Sequence, residues 1–295
     1  MLENLGWQVD YHPAITRNEI REKHLGYQGL IIRSKTTVDQ ELLGEHPTLR
    51  FIGRAGAGLD NLDLEYLAKK NVQVLHAAEG NRDAVGEFTV GILLSLLRNI
   101  PRANQEVING VWLRESNRGE EIMGKTIGII GFGNMGQAFA KRLIGFGCKI
   151  LVYDKYKHGF TNEFWQEADM GQIFAETDIL SLHIPLTDET RAMVNTTYLS
   201  RFKKKIILIN TARGEIIPLS ELAESFAMGF VRSAALDVLE NEKLDKLTPA
   251  QKEGLRNLIN GGNVIFTPHI AGWTFESHLK INVALVEKIK TLDIS

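Results

Sequence analysis

Short apolar runs separated by helix-like segments dominate the sequence from residue 120 onward. Between the first two runs, Met135, Ala138, Phe139, Leu143 and Phe146 recur at helical spacing. The runs themselves are apolar on both faces, as strands covered by helices on both sides are. Alternation of this kind predicts a doubly wound parallel sheet. The six predicted strands are 126–130, 149–153, 178–182, 205–209, 233–236 and 263–266.

The first hundred residues repeat this alternation on a smaller scale. Strands are predicted at 29–33, 49–53 and 72–75, and helices near 36–45, 63–70 and 82–98, the last ending before Pro101. One more amphipathic helix is predicted over 274–290. A chain of 295 residues exceeds the usual size of a single core. We therefore predict an α/β protein of two Rossmann/flavodoxin-like domains with parallel sheets, a larger one at 97–272 and a smaller, discontinuous one at 1–96 and 273–295.

Composition narrows the class of partner. The chain has 34 Lys and Arg against 36 Asp and Glu, a net charge of −2, which favours a small-molecule partner over nucleic acid or an anionic membrane. Its single cysteine, Cys148, allows no internal disulfide and no cysteine pair with metal-ligand spacing, so we expect no metal. No apolar run approaches a membrane span, and the start lacks a signal-peptide layout, so a cytoplasmic location is expected.

The most specific local pattern is Gly131, Gly133 and Gly136 in the spacing G-x-G-x-x-G. Such glycines are a weak signal alone, but here they follow a predicted strand and open a helix, as dinucleotide binding requires. Asp154 ends the next predicted strand, where a carboxylate accepts hydrogen bonds from ribose hydroxyls. The negative charge of Asp154 repels the 2′-phosphate of NADP and so favours NAD, and the positive charge of Lys155 reduces that preference. The alternative is a surface aspartate beside a chance glycine pattern.

Three later strands are followed by side chains suited to hydride transfer on an oxo acid. Arg213 follows 205–209, carboxylates follow 233–236, and His269 follows 263–266. A cation, a proton donor and a carboxylate that orients the donor are what the reaction needs, and ligands bind at the carboxyl ends of parallel strands. Each also has a simpler interpretation, as a surface arginine, helix-capping acids and a core histidine.

With His183-Ile184-Pro185-Leu186-Thr187 and Asn210-Thr211-Ala212-Arg213-Gly214, these motifs make nearly the whole chain resemble the D-isomer-specific 2-hydroxyacid dehydrogenases. The resemblance implies an NAD-dependent oxidoreductase with Arg213, Glu242 and His269 as catalytic residues. Glu242 is chosen over Glu240 because it lies five positions after Asp237. The resemblance also assigns NAD binding to the larger domain, at Gly131, Gly133, Asn134, Met135, Gly136, Asp154, His183, Ile184, Pro185, Thr187, Thr211, Ala212, Asp237 and Gly272.

The smaller domain resembles the substrate domain of members that act on 3-phosphoglycerate, without a regulatory domain after residue 295. This likeness implies substrate binding, with Arg33 and Arg54 supplying charge for a phosphate unless they are solvated surface arginines. The substrate residues implied are Arg33, Ser34, Arg54, Ala55, Gly56, Ala57 and Asn81.

The resemblance also leads to expectations about the start of the chain, about dimer formation and about two alternative functions. Members usually open with a strand that precedes the helix leading into Gly6, so we expect the smaller sheet to lack its first strand and to leave an edge unpaired. A homodimer is expected, with residues 100–123 and Trp112 as the contact region. NAD-sensing transcriptional corepressors have the same fold and residue set, and an inactive relative that still binds NAD is the other alternative.

Overall fold

Two parallel sheets organise the protein in the computed structural model, which describes residues 1–45, 47–261 and 263–292. A three-stranded sheet has the order β1-β2-β3, and a seven-stranded sheet has the order β10-β9-β8-β7-β4-β5-β6. The strands are β1 (Gly29–Ile32), β2 (Phe51–Arg54), β3 (Gln73–His76), β4 (Thr126–Ile130), β5 (Lys149–Tyr153), β6 (Gln166–Glu167), β7 (Ile179–Leu182), β8 (Ile206–Asn210), β9 (Val231–Leu236) and β10 (Asn263–Phe266).

Helices connect these strands. They are α1 (Arg17–Lys23), α2 (Gln40–Leu43), α3 (Leu64–Lys69), α4 (Arg82–Leu97), α5 (Ile100–Ile108), α6 (Asn134–Leu143), α7 (Met170–Glu176), α8 (Thr196–Leu199), α9 (Leu219–Ala227), α10 (Pro249–Gly261) and α11 (Phe275–Lys290). The predicted parallel α/β architecture is therefore confirmed, although α2 is shorter than the helix expected over 36–45.

The larger sheet is buried on both faces, as its apolar runs predict. Every residue of β4, β7 and β8 is buried. One apolar cluster includes Leu151 and Leu208, and a second includes their neighbours Val152 and Ile207, so side chains alternate between the two faces along β5 and β8. The strand order reverses between β4 and β7, and such a switch point opens a crevice at the carboxyl ends of the strands.

The chain divides into two compact units, Met1–Arg82 with Trp273–Ser295, and Asp83–Gly272. From the sequence, the first division is expected after residue 96, at the end of a long apolar helix. In the structure the division precedes that helix because Leu93 and Leu97 of α4 pack in the same cluster as Ile127. The assignment of NAD binding and substrate binding to these units stays a prediction.

The smaller unit packs helices on both sides of its sheet. Ile52 and Leu67 belong to a cluster on one side, and Phe51 packs with Leu285 and Ile289 of α11 on the other. Within the described residues β1 pairs with β2 alone, and Ile31 in this edge strand is 43% exposed. Near the start of the chain, the segment before Gly6 forms a single 3-10 turn.

Candidate active site

The turn after β4 has the shape that the glycine motif predicts. Gly131 adopts a φ of 95°, and a Cβ there would lie 2.4 Å from the carbonyl oxygen of His183. A Cβ on Gly136 would lie 2.0 Å from the carbonyl oxygen of Gly131. The turn and the close packing of helix on strand therefore require glycine at both positions.

The start of α6 offers donors for an anion. Gly133 caps the helix without a side-chain hydrogen bond, and a Cβ on Gly133 would have no atom of the described residues within 4 Å. Asn134, Met135 and Gly136 form the first turn, whose N–H groups have no intrahelical acceptor. Open space beside free N–H groups at a helix N-terminus suits the pyrophosphate of a dinucleotide.

Asp154, directly after β5, is tied to this glycine turn. Its Oδ2 accepts the N–H of Phe132 at 2.7 Å, and its Oδ1 accepts the N–H groups of Tyr156 and Lys157 at 2.9 and 3.0 Å. Burial alone would raise the pKa of Asp154, but these bonds and the charge of Lys157 hold it below its ordinary value. The group beside the glycine turn is therefore a carboxylate, as ribose recognition requires.

The loop after β7 lies against the glycine turn through its backbone. The imidazole of His183 is buried, its Nε2 contacts Ser181 Oγ at 2.9 Å, and burial lowers its pKa to about 3. Ile184 lies beside Gly131, and Thr190 Oγ1 donates to the carbonyl of Pro185 at 2.7 Å. Because the imidazole is buried, the cofactor contact predicted for His183 would have to come from its backbone atoms. The N–H of Thr187 is already bonded to Thr190 Oγ1 at 2.8 Å.

A buried asparagine, Asn210, shapes the loop after β8. It is part of the sequence motif, but the sequence did not indicate its role. Asn210 Nδ2 donates to the carbonyl of Arg213 at 2.9 Å, and its Oδ1 accepts the N–H of Ala212 at 3.0 Å. Thr211 Oγ1 lies 3.4 Å from Thr89 Oγ1 of α4. The Arg213 guanidinium donates to the Ala212 carbonyl at 2.7 Å. Asn210 thus fixes the loop that presents Arg213.

His269 and Glu242 form an ion pair at the ends of β10 and β9. His269 Nδ1 lies 2.8 Å from Glu242 Oε1. This hydrogen bond raises the pKa of His269 above its ordinary value, although burial and the charge of Arg213 act to lower it. Arg213 follows β8, which lies beside β9 in the same parallel sheet as β10, so Arg213 and His269 both lie at the carboxyl edge of that sheet. Glu240 is engaged elsewhere, because its Oε2 accepts the N–H of Leu219 at 3.0 Å.

Asp237 holds the histidine loop in place. Its buried carboxylate accepts Thr267 Oγ1–H at 2.6 Å and the N–H groups of Ile270 and Ala271 at 2.9 and 2.8 Å. Its carbonyl accepts the N–H of His269 at 2.7 Å, and His269 adopts the left-handed φ of 55°. The sequence pattern offered Asp237 as a cofactor contact, and it gave no sign that the carboxylate stabilises this backbone. Gly272 follows the same loop.

Six of the seven predicted substrate residues lie at the carboxyl ends of β1 and β2 in the smaller unit, and the seventh, Asn81, follows β3. The Arg33 guanidinium stacks over the ring of Trp273 at 4.5 Å, and Ser34 is exposed. Arg54 Nη1 donates to the Ala55 carbonyl at 2.9 Å. The guanidinium of Arg54 lies so close to Gly56 that a Cβ there would be 1.8 Å from Nη1. Ala57 follows in the same turn.

A further polar cluster adjoins the loop that carries Asn81. Lys288 of α11 pairs with Glu79 at 2.7 Å and donates to the carbonyl of His76 at 2.6 Å. Within the described residues, His76 Nδ1 and Asn81 Oδ1 are buried without a hydrogen-bond partner. The pairing of residues 79 and 288 was not visible in the sequence, because 209 positions separate them.

The described residues show neither a metal-binding cluster nor a single membrane-spanning helix. They contain no group of three or more His, Cys, Asp or Glu side chains that could hold a metal ion. No single helix among them is long and apolar enough to cross a membrane. The pair α4 and α5 passes that test jointly but is bent by 62°, and Ile92, Leu93 and Leu96 of α4 are buried in the core.

Several known proteins are similar to this chain in sequence or in fold. A hydroxypyruvate reductase from Thermotoga maritima is 38% identical over 260 residues, which are 88% of this chain and 83% of that protein. A D-3-phosphoglycerate dehydrogenase from Methanocaldococcus jannaschii is 35% identical over 293 residues, 98% of this chain. The chain spans 54% of the length of that second relative. The crystal structure of D-lactate dehydrogenase from Aquifex aeolicus, complexed with NAD and lactic acid, matches with a TM-score of 0.82 and 28% identity, covering 94% of this chain and 85% of the other.

A sequence profile identifies the family to which the chain belongs. The profile of the D-isomer specific 2-hydroxyacid dehydrogenase, NAD binding domain, matches residues 90–271. These residues include the glycine turn, Asp154 and the loops after β7, β8, β9 and β10. The glycine turn, the uncapped helix start and the Asp154 carboxylate suit NAD, the cofactor that the family binds. The chain therefore belongs to the NAD-dependent D-isomer-specific 2-hydroxyacid dehydrogenase family.

Proposed function

We propose that the chain interconverts a D-2-hydroxy acid and the corresponding 2-oxo acid with NAD(H), using Arg213, Glu242 and His269. The observation that carries the proposal is the 2.8 Å contact between His269 and Glu242, with Arg213 at the same edge of the sheet. A histidine whose pKa is raised by a carboxylate stays protonated to higher pH than a free imidazole and can release its proton to a substrate oxygen.

Each side chain has a separate task. NADH, when bound, supplies the hydride. Because Nδ1 of His269 is bonded to Glu242, its Nε2 is the nitrogen that gives a proton to the oxo oxygen, or takes one from the hydroxyl in the reverse direction. Arg213 offers a planar fork that suits a carboxylate and polarises the adjacent carbonyl. Glu242 keeps the imidazole in one orientation and stabilises its charged form.

We assign substrate binding to Arg33, Ser34, Arg54, Ala55, Gly56, Ala57 and Asn81. The two arginines support an anionic substrate, and a phosphate requires more positive charge than a plain hydroxy acid. The similar proteins include a hydroxypyruvate reductase and a D-3-phosphoglycerate dehydrogenase. Hydroxypyruvate and 3-phosphohydroxypyruvate, the oxo partner of 3-phosphoglycerate, are therefore the first substrates to test.

The test is NADH oxidation measured at 340 nm against a panel of 2-oxo acids that contains both compounds, with pyruvate and glyoxylate beside them. We expect turnover with at least one member and a higher kcat/KM for an oxo acid with a polar or charged C3 substituent than for pyruvate. Tight NADH binding without turnover across the panel would refute the enzyme and favour a corepressor-like binding module or an inactive relative. Absence of NADH binding would refute the cofactor site itself.

We propose a homodimer that uses residues 100–123. None of the side chains of α5 is buried, and Trp112 is 82% exposed in the segment that follows it. Exposed apolar side chains close together in sequence mark an interaction surface. Light scattering after gel filtration should give twice the 33.1 kDa chain mass, and Trp112→Glu should shift the protein toward the monomer. A monomeric wild-type protein at micromolar concentration would contradict the proposal.

A further inference from the structure

A lysine lies beside the carboxylate that the sequence motif assigns to ribose recognition. Lys157 Nζ donates to the carbonyl of Phe132 at 3.0 Å, and the N–H of the same Phe132 donates to Asp154 Oδ2 at 2.7 Å. Phe132 is the central residue of the glycine turn. An ammonium and a carboxylate are therefore both anchored to one residue of the proposed dinucleotide site.

The Asp154 carboxylate is largely occupied by the backbone. Its Oδ1 accepts two N–H groups and its Oδ2 accepts one. A carboxylate has about four acceptor positions, so roughly one remains for a ligand. Selection of NAD over its 2′-phosphorylated form is strongest when both ribose hydroxyls donate to the carboxylate. One remaining acceptor position supports a weaker selection.

The other basic side chains of this loop are already paired with carboxylates. Lys155 Nζ lies 2.6 Å from Glu189, and His158 Nδ1 lies 3.0 Å from Glu167. Lys157 differs, because within the described residues its ammonium has no carboxylate at ion-pair distance and its bond goes to a neutral carbonyl. An ammonium has three donors, so two remain for a ligand. Lys157 is therefore a second candidate, beside the Lys155 expected from the sequence, for offsetting the charge of Asp154.

We propose that Lys157 is a specificity residue that lets this site accept a 2′-phosphorylated dinucleotide, NADPH, in addition to NADH. The inference rests on the proposed dinucleotide site at the glycine turn and Asp154. Asp154 repels the 2′-phosphate, and Lys157 offsets that repulsion with a positive charge held at the same residue, Phe132. NADH stays the preferred form, since Lys157 adds nothing for a ribose without phosphate.

The experiment compares dissociation constants, so it does not depend on turnover. NADH and NADPH are titrated against the full chain, and their own fluorescence is followed for the wild type, Lys157→Gln and the matched control Lys155→Gln. We expect wild-type NADPH to bind less than about 30-fold more weakly than NADH. Lys157→Gln should widen this ratio about fivefold to tenfold, the value of one partly solvated charge contact. Lys155→Gln should leave the ratio within about twofold.

The ratio of the NADPH and NADH dissociation constants distinguishes a role of Lys157 in specificity from a role in supporting the loop. If Lys157 only supports the glycine turn, its loss weakens both dinucleotides equally and the ratio stays constant. Lys157→Arg keeps the charge and should keep the ratio, and wild-type affinity for NADPH should fall more steeply with salt than affinity for NADH. These two measurements remain if Lys157→Gln does not fold.

The measured ratios decide whether Lys157 has the proposed role. A wild-type ratio above about 30 overturns the inference, and so does a widening by Lys157→Gln of less than about threefold or one that Lys155→Gln matches. If NADH binds and one of these results is found, the proposed dinucleotide site stands and only the role of Lys157 fails. If neither dinucleotide binds, the proposed site fails together with the inference.

Discussion

At the scale of single residues, the position of His269 depends on two carboxylates with different tasks. Asp237 is buried and bonds the loop backbone, so His269 can adopt its left-handed conformation. Glu242 is partly exposed and bonds the imidazole itself. The buried carboxylate fixes geometry, and the exposed one adjusts the proton affinity of the base.

His269→Ala tests the proton-transfer role. Loss of a positioned general acid or base should lower kcat by about 10² to 10⁴. The dissociation constant of NADH should change by less than about threefold, because no contact of His269 with the glycine turn is seen in the described residues. His158→Ala, which removes an exposed histidine, serves as the control. Turnover within tenfold of wild type would remove His269 from the proposed mechanism.

Glu242→Gln tests the cause of the raised pKa. In the direction of oxo-acid reduction, His269 must be protonated, so kcat/KM falls as pH rises through its pKa. The Glu242 carboxylate raises that pKa above the ordinary value of 6.5. The variant should therefore shift the descending limb of the profile to lower pH. The matched control is Glu240→Gln, which alters a carboxylate bonded to Leu219 instead. A profile of Glu242→Gln that coincides with the wild type would contradict the assignment.

At the scale of elements, the strands and their polar ends could be predicted, but the internal bonds of the loops could not. Periodicity located β4 and the apolar strands after it because buried parallel strands are continuous apolar runs. It placed Arg213 and His269 at strand ends for the same reason. The bonds made by Asn210 and Asp237 depend on loop conformation, and the two-residue β6 is too short for any period.

The turn between β4 and α6 gives a prediction at this scale. Gly136→Ala brings a Cβ to 2.0 Å from the Gly131 carbonyl, so helix and turn must separate, whereas Gly133→Ala meets no atom of the described residues within 4 Å. We expect Gly136→Ala to lower the free energy of unfolding by about 2 kcal/mol and to weaken NADH binding. Gly133→Ala should change stability by less than about 1 kcal/mol while still weakening NADH binding.

Urea unfolding and NADH titration of both variants check this contrast. The two substitutions add the same methyl group and differ only in what surrounds it. Equal stability losses would show that the packing of α6 on the turn does not depend on Gly136. An unchanged NADH affinity in Gly133→Ala would contradict the approach of the pyrophosphate to this residue.

At the scale of the whole molecule, the division of the chain was the hardest feature to predict. The sequence of α4 suggested a helix that connects the two domains and ends before Pro101. The side chains of α4 in fact pack on the larger sheet, which a single sequence does not reveal because its apolar positions fit either core. Long-range ion pairs were equally hidden. Glu120 bonds Arg232 of β9, 112 positions later, and also bonds Lys125 and, through its N–H, the carbonyl of Leu97.

Glu120 therefore links the end of α4, the approach to β4 and strand β9 within the larger unit, and its charge should affect stability. The hydrogen bonds from Arg232 and Lys125 lower the pKa of Glu120 to about 2, against a partial burial that would raise it. A carboxyl group whose pKa is lowered by folding contributes stability above its unfolded pKa of 4.5, and the contribution is lost as pH falls toward about 2.

Glu120→Gln should accordingly lower the free energy of unfolding at pH 7 by about 1 kcal/mol, a modest value because partial exposure screens the pair. The deficit should shrink as pH falls from 4.5 toward about 2, where the wild-type carboxylate is protonated as well. Glu115→Gln, which breaks an exposed pair with Arg118, should cost less than about 0.5 kcal/mol at any pH. Urea unfolding at several pH values measures both. A Glu120→Gln deficit that persists at the same size in acid would show that the side chain stabilises the unit by packing rather than by its charge.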